Sequence, residues 1–226
     1  MTFQLDLFSP GYSPKVLQTP EGRYYHTPNG IFPSVTNVLS AYQDKRYLVK
    51  WREKIGDEAA DQIVNQARHR GNAIHRMAEL YLQNKSSWSE NQSTINIETF
   101  RQIQKLLDSN IQLVRACELP LWSNSLKIAG TTDAVVNWCG HNAILDFKTS
   151  KRPVGAMSDK LRFYKMQTVI YAMMLDERYG VDCEYSIIII TVDHHNPMVV
   201  YFRNTAFRQV AADLVQKVTV DIPKSL

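Results

Sequence analysis

Residues 130–150 read GTTDAVVNWCGHNAILDFKTS, two strand-like runs flanking a turn-like break at Cys139-Gly140-His141. In a hairpin symmetric about the Cys139–Gly140 bond, Trp138 faces His141, Asn137 faces Asn142 and Asp133 faces Asp146. Directly opposed residues hold their Cβ atoms roughly 4.5–5.5 Å apart. Two carboxylates at that spacing repel, and each raises the pKa of the other. A divalent cation between them removes the conflict. Side chains two apart on a strand share a face, so Asp146 and Lys148 point with Asp133. Leu145, Phe147, Ala134 and Val136 point the other way, into a core. Gly130, ahead of the first acid, leaves room for close approach of a ligand. An isolated Asp-x-Lys pair reads as an exposed ion pair on one strand face. The register with Asp133 favours a functional site.

Two helical stretches carry further polar stripes. In RHRGNAIHRMAELYL, Arg68, Gly71, Asn72, His75 and Glu79 recur at helical spacing, opposite Ile74, Met77, Ala78 and Tyr81. His75 and Glu79, four apart, are able to face one site. Taken alone, His75 reads as a satisfied interface histidine and Glu79 as a solvated charge. In KLRFYKMQTVIYAMML, Lys160, Tyr164, Gln167 and Tyr171 form a second stripe opposite an apolar face that includes Met166, Val169 and Met174. Taken alone, Gln167 and Tyr171 read as a polar helix edge. Glu118, in ACELPLW, is a third acid, read as a metal ligand, a supporting group or an exposed strand residue.

The remaining pattern frames these pieces. Asn29-Gly30 favours a tight turn in a short hairpin, and Ser34 or Thr36 suits the cap of a helix carrying Val35, Val38 and Leu39. Helices are expected across 44–82, interrupted near Gly56 and Gly71, with a polar surface loop over 83–96 and a further helix over about 97–114. Strands follow over 116–122, 127–138 and 143–149, then a helix over 164–179, strands over 185–192 and 198–202, and a closing helix over 206–218. The order predicts an α/β fold.

With 226 residues, 44% of them hydrophobic, the chain is long enough to bury a substantial core. A formal net charge of +4 permits a polyanionic partner without requiring one. Three scattered cysteines with no CxxC pair exclude a four-cysteine zinc ribbon or iron–sulfur cluster within this chain. The opening MTFQLDLFSPGYSPK has no signal or transit-peptide pattern, and no apolar run is long enough for a bilayer. The expectation is a cytoplasmic protein without membrane association.

In order, GNAIH (71–75), ACELPLW (116–122), GTTD (130–133), ILDFKTS (144–150) and YKMQTVIYA (164–172) resemble the motifs of the PD-(D/E)XK nuclease superfamily. The likeness is to the RecB-like exonuclease branch, near its mitochondrial genome-maintenance and phage members, with FPSVTNVL (32–39) and the Trp51 helix adding to it. It covers roughly residues 31–192. It implies a restriction-endonuclease-like core with a mixed central sheet in the order αβββαβ, flanked by helices and preceded by an N-terminal helical extension. The chain then divides as one nuclease domain, with the extension over 1–70, the catalytic core over 71–192 and a C-terminal strand and helix over 193–226.

The same resemblance implies roles. Asp133 and Asp146 are metal-binding carboxylates, Phe147 offers its backbone carbonyl, His75 is a further ligand and Glu118 matches an acid of unsettled role. Lys148 orients or helps deprotonate the attacking water and stabilises phosphorane charge. Gln167 and Tyr171 match a QxxxY helix that supports the site and the DNA backbone. Several relatives carry a four-cysteine cluster, so the match is to cluster-free members. No Walker A sequence is present, so any helicase motor is another chain.

Carboxylate ligands suit Mg²⁺ or Mn²⁺. Nucleic-acid contacts are expected from Arg68, Arg70, Lys151, Arg152, Lys160 and Lys165, with Tyr164 stacking on unpaired bases. The expected activity is a metal-dependent DNA exonuclease acting on single strands or ends in repair, recombination or replication. Other replication or recombination proteins are candidate partners. The alternatives are a structure-directed endonuclease on the same core and a non-catalytic nucleic-acid-binding subunit.

Overall fold

A computed structural model describes residues 2–9 and 11–220, so the last six residues of the expected C-terminal segment lie outside the described residues. The elements run β1 (Gln4–Leu5), β2 (Lys15–Thr19), β3 (Gly22–Thr27), β4 (Gly30–Pro33), α1 (Val35–Ala41), α2 (Arg46–Ile55) and α3 (Asp57–Leu82). They continue with α4 (Thr94–Asn110), β5 (Ile111–Ser123), β6 (Ile128–Trp138), β7 (His141–Ser150), α5 (Asp159–Tyr179), β8 (Tyr185–Val192), β9 (Met198–Arg203) and α6 (Arg208–Val220). Six strands form one mixed sheet in the order β1-β5-β6-β7-β8-β9. β5, β6 and β7 are antiparallel neighbours, α5 carries the chain across to β8 parallel to β7, and β9 returns antiparallel. This is the expected mixed α/β sheet flanked by helices.

The β6–β7 hairpin closes as the alternation predicts. Cys139 and Gly140 both take positive φ, 50° and 90°, the requirement of a primed two-residue turn. Trp138 pairs with His141, Asn137 with Asn142, and the ladder runs to Ala134 and Leu145. Both faces of the sheet are covered. Leu145, Phe147, Ala134 and Val136 pack with Ile74, Met77 and Leu82 of α3 and Phe100, Ile103 and Leu107 of α4. Val135 and Ile144, on the other face, pack against Val169, Ile170 and Met174 of α5, with α1 and α6 outside that layer.

Several local expectations differ from the fold. Gly56, at φ 84°, separates α2 from α3 as expected, but α3 runs unbroken through Gly71. A helix-interior glycine costs about 1 kcal/mol against alanine, which burial of Ile74, Met77, Ala78, Tyr81 and Leu82 outweighs. α4 starts at Thr94 and stops at Asn110, so Ile111 opens β5 instead of closing a helical face. The polar stretch 83–96 includes a 3₁₀ turn at Ser86–Ser89, and Trp88 from it packs against Tyr81 and Phe100. Residues 166–172 of α5 are buried all round, so its polar stripe is not a solvated edge.

The first strands form a separate three-stranded sheet, β2-β3-β4, closed by the Thr27–Gly30 turn. The Ser34 hydroxyl caps α1 by accepting the Asn37 N–H at 3.1 Å. The small sheet docks through Tyr25 and Phe32 on Trp122 and Ala129, and Ser34 bridges to Ala129 of β6. Among the described residues, no helix is long and apolar enough to cross a membrane.

Candidate metal centre and nucleic-acid cleft

The ladder that aligns the two acids stops one pair short of them. Ala134 pairs with Leu145, but Asp133 and Asp146 are not paired. On its other side β6 pairs Ala134 with Cys117 and Thr132 with Leu119, again passing over Asp133 and the residue opposite it, Glu118. Glu118 itself sits at φ 48°, in the left-handed region that non-glycine residues seldom adopt. Asp133 is thus unpaired to both neighbouring strands, with an acid in register on each. Its carboxylate takes over one vacant backbone position, because Oδ2 accepts the Phe147 N–H at 2.7 Å.

His75 reaches this gap from α3, its Nδ1 lying 3.3 Å from Asp133 Oδ1. One ligand atom from each of His75, Glu118 and Asp133 falls within 4.8 Å of the others. Asp146 lies behind them, 1% exposed, with Lys148 Nζ 2.5 Å from its Oδ2. Lys148 thus satisfies Oδ2, whereas Asp146 Oδ1 has no hydrogen-bond partner among the described residues. The unpartnered second oxygen of a buried carboxylate carries a desolvation cost that a further cation relieves. Two hard carboxylates with an imidazole match the donors that Mg²⁺ or Mn²⁺ accepts. The residues fit a divalent cation.

The electrostatics agree with that fit. Burial pushes the Asp146 carboxyl up to about 6, with Lys148 pulling against it and Asp133 adding to it. Glu118, exposed by area but set in the concave wall, is pushed up to about 7, by partial desolvation first and then by Asp133. Asp133 stays below the usual carboxylate range although burial opposes this, because His75, Lys148 and the Phe147 N–H favour its charge. Burial opposes charge on His75 too, and the adjacent Asp133 nonetheless raises its pKa. The cluster concentrates negative charge and retains protons that a divalent cation displaces.

A cleft of about 490 Å³ opens on this corner, lined by His75, Glu118, Asp133 and Lys148 and by residues from three further elements, β3, α1 and α5. Gln167 Nε2 donates to Tyr171 Oη at 3.1 Å in its wall. Gly130 has a different use from the one its position suggested. A Cβ there would stand 2.8 Å from the Tyr171 ring and 3.2 Å from Val35, so α5 and α1 pack into the space a side chain would take, while Gly130 itself lines the cleft. Tyr171, 3% exposed, belongs to the wall.

The expected nucleic-acid residues separate into groups. Arg68 lines the cleft. Arg70 instead forms an ion pair with Asp193 and borders a second groove between α4 and the β8–β9 turn. Lys151 and Arg152 are exposed just past the end of β7. Lys160 donates to Ser150 Oγ at 3.0 Å, and Tyr164 is partly buried, with Lys148 and Lys160 at 5.3 and 5.9 Å from its ring. Lys165 lies over Phe202 and Phe207 and does not line the cleft. Arg23, Tyr25 and Thr131 line the cleft without having been anticipated. Alternation in GRYYHT puts residues 23 and 25 on one face, but nothing local says which surface that face meets.

Three comparisons bear on this arrangement. The chain is 23% identical over 177 residues to human mitochondrial genome maintenance exonuclease 1, a match covering 74% of this chain and 51% of the relative. It is 21% identical over 188 residues to the protein of the same name from Xenopus tropicalis, covering 80% and 54%. The chain therefore spans about half the length of these curated relatives. The model of the PD-(D/E)XK nuclease superfamily matches residues 37–220, a segment that includes His75, Glu118, Asp133, Asp146, Lys148 and Gln167. The chain belongs to the PD-(D/E)XK nuclease superfamily.

Proposed function

We propose that this protein is a divalent-metal-dependent DNA exonuclease that hydrolyses phosphodiester bonds on single strands or at DNA ends, with Mg²⁺ or Mn²⁺ as cofactor. One observation carries the reading. His75, Glu118 and Asp133 converge within 4.8 Å beside a buried Asp146 that is paired with Lys148 through one oxygen and has no hydrogen-bond partner for the other. The names of the curated relatives support the exonuclease mode and a setting in genome maintenance. DNA is the partner, and repair, recombination or replication is the process.

The chemistry follows from the residues. A divalent cation, when bound, acidifies water and neutralises charge on the nonbridging phosphate oxygens. His75, Asp133 and Asp146 would hold it, with Glu118 and the Phe147 carbonyl completing the set. The Phe147 N–H points to Asp133, and in an extended strand the carbonyl of the same residue points to the same side. Lys148, kept in place by Asp146 and resting over Tyr164, hydrogen-bonds the attacking water and meets the negative charge that develops on phosphorus-bound oxygen. Gln167 and Tyr171 fix the wall against which the strand lies.

The test is degradation of end-labelled linear and closed circular DNA, single- and double-stranded, with Mg²⁺, Mn²⁺ or EDTA. Linear single strands should be shortened from an end with either metal and left intact in EDTA. Asp146→Ala should abolish this. Cleavage of closed circles would replace exonuclease with endonuclease, and activity surviving Asp146→Ala would remove the mechanism.

A further inference from the structure

We propose that Arg23, carried by the small N-terminal sheet ahead of the segment that matches the family, binds a backbone phosphate of the nucleic acid across the cleft from the metal corner. This rests on the nuclease reading and adds to it a substrate-binding residue from outside the matched region. Four cationic side chains line the cleft: Arg23, Arg68, Arg76 and Lys148. Arg76 is bound to Glu79 at 2.6 Å and Lys148 to Asp146 at 2.5 Å. Arg23 and Arg68 make no ion pair among the described residues, so their charge is available to a ligand. A guanidinium with free donors facing a site for phosphodiester chemistry matches a phosphate in charge and in fork geometry.

The backbone at Arg23 is held more firmly than an exposed strand residue requires. Its carbonyl accepts both the Ser34 N–H and Asn37 Nδ2 at 2.9 Å, two donors from the start of α1. Gly22 sits at φ 129°, where a Cβ would lie 2.2 Å from Asn37 Nδ2. A side chain at this position would displace the Asn37 amide from the Arg23 carbonyl, and the positive φ itself favours glycine. Arg23 and Tyr25, two apart on β3, share the cleft-facing side. Tyr25 Oη lies 3.3 Å from Thr131 Oγ1, and Thr131 stands two residues before Asp133 on β6. The strand bearing Arg23 is therefore tied to the strand bearing the central carboxylate. A solvated arginine needs neither the glycine nor the double clamp.

The test is binding of a fluorescent single-stranded oligonucleotide across a salt series, with Ca²⁺ replacing Mg²⁺ to limit cleavage. Arg23→Ala should weaken binding about tenfold, the scale of a charged hydrogen bond. It should also make the slope of log affinity against log salt shallower by about 0.7, the release of one phosphate counterion on a single strand. Arg23→Lys should restore the slope but only part of the affinity. Arg101→Ala, on an exposed part of α4 outside the cleft, should change neither. An Arg23→Ala protein with wild-type affinity and slope overturns the assignment while leaving the nuclease reading intact. Weaker binding with an unchanged slope also overturns it, because the lost contact is then not ionic. A wild type that neither binds nor cleaves DNA with any metal overturns both.

Discussion

The two ends of the β6–β7 hairpin are built from one register and have opposite properties. At the turn end, Trp138 to Ala134 pair in unbroken sequence with His141 to Leu145, and the inward side chains are apolar and buried. At the open end, the next pair in the same register is Asp133 and Asp146, and the ladder stops. Backbone pairing would bring two carboxylates within about 5 Å, with Glu118 in register on the far side of Asp133. The strands part there instead, and the vacated donor at Phe147 turns to Asp133. Stability resides at one end and, on the proposed function, cation binding at the other, so the two should be separable by mutation.

The largest separation is expected from Asp133→Asn. It keeps an acceptor for the Phe147 N–H but removes the charge facing His75, so cleavage should fall by about 10³-fold, the scale of losing a principal electrostatic group. The denaturation midpoint should stay near wild type. Loss of both together would mean that the open end also holds the fold. Leu145→Ala makes the converse change at the closed end. A fully buried leucine replaced by alanine costs about 2–5 kcal/mol. Urea unfolding should register that loss, whereas kcat per folded molecule should be nearly unchanged. A fall in kcat matching that of Asp133→Asn would contradict the division.

The smallest effect concerns protons at the open end. Glu118 and Asp146 have carboxyls raised to about 7 and about 6, so the metal-free cluster is partly protonated near neutrality. A cation binds the deprotonated forms, so raising the pH through this window should strengthen binding and release fewer protons per cation bound. Titration calorimetry with Mn²⁺ should show affinity rising by up to about tenfold per pH unit for each proton displaced, then levelling above pH 8. Glu118→Gln should remove the part of the dependence centred near 7. A flat profile in the wild type would mean that these carboxyls do not hold the metal.

What the sequence made legible follows the same contrast. The hairpin register could be read because a turn-like break at Cys139-Gly140-His141 lies between two alternating runs, and a pairing symmetric about Cys139–Gly140 is the one the fold adopts. His75 was legible as a position on a helical stripe, but its contact with Asp133 depends on α3 crossing the sheet end. Gly130 was read as an opening for a ligand because sequence does not show that Tyr171, 41 positions away, occupies the space. The stripe of Gln167 and Tyr171 taken alone reads as a helix edge, and only the motif resemblance points to the site, because the packing of Tyr171 against Gly130 and Val35 leaves no periodic trace. Arg23 and Tyr25 were missed for the same reason: the small sheet meets the cleft through tertiary docking. Period-2 and turn signals are local, whereas the walls of the cleft are set by packing between distant segments.

The central claim is that the gap around Asp133 is a metal centre. Crystals soaked in Mn²⁺ and measured at an anomalous wavelength test it most directly. The account predicts an anomalous peak held by His75, Asp133 and Asp146, with Glu118 beside it, and absent in Asp133→Asn crystals. A peak elsewhere, or a well-ordered gap with no peak under saturating Mn²⁺, would contradict it.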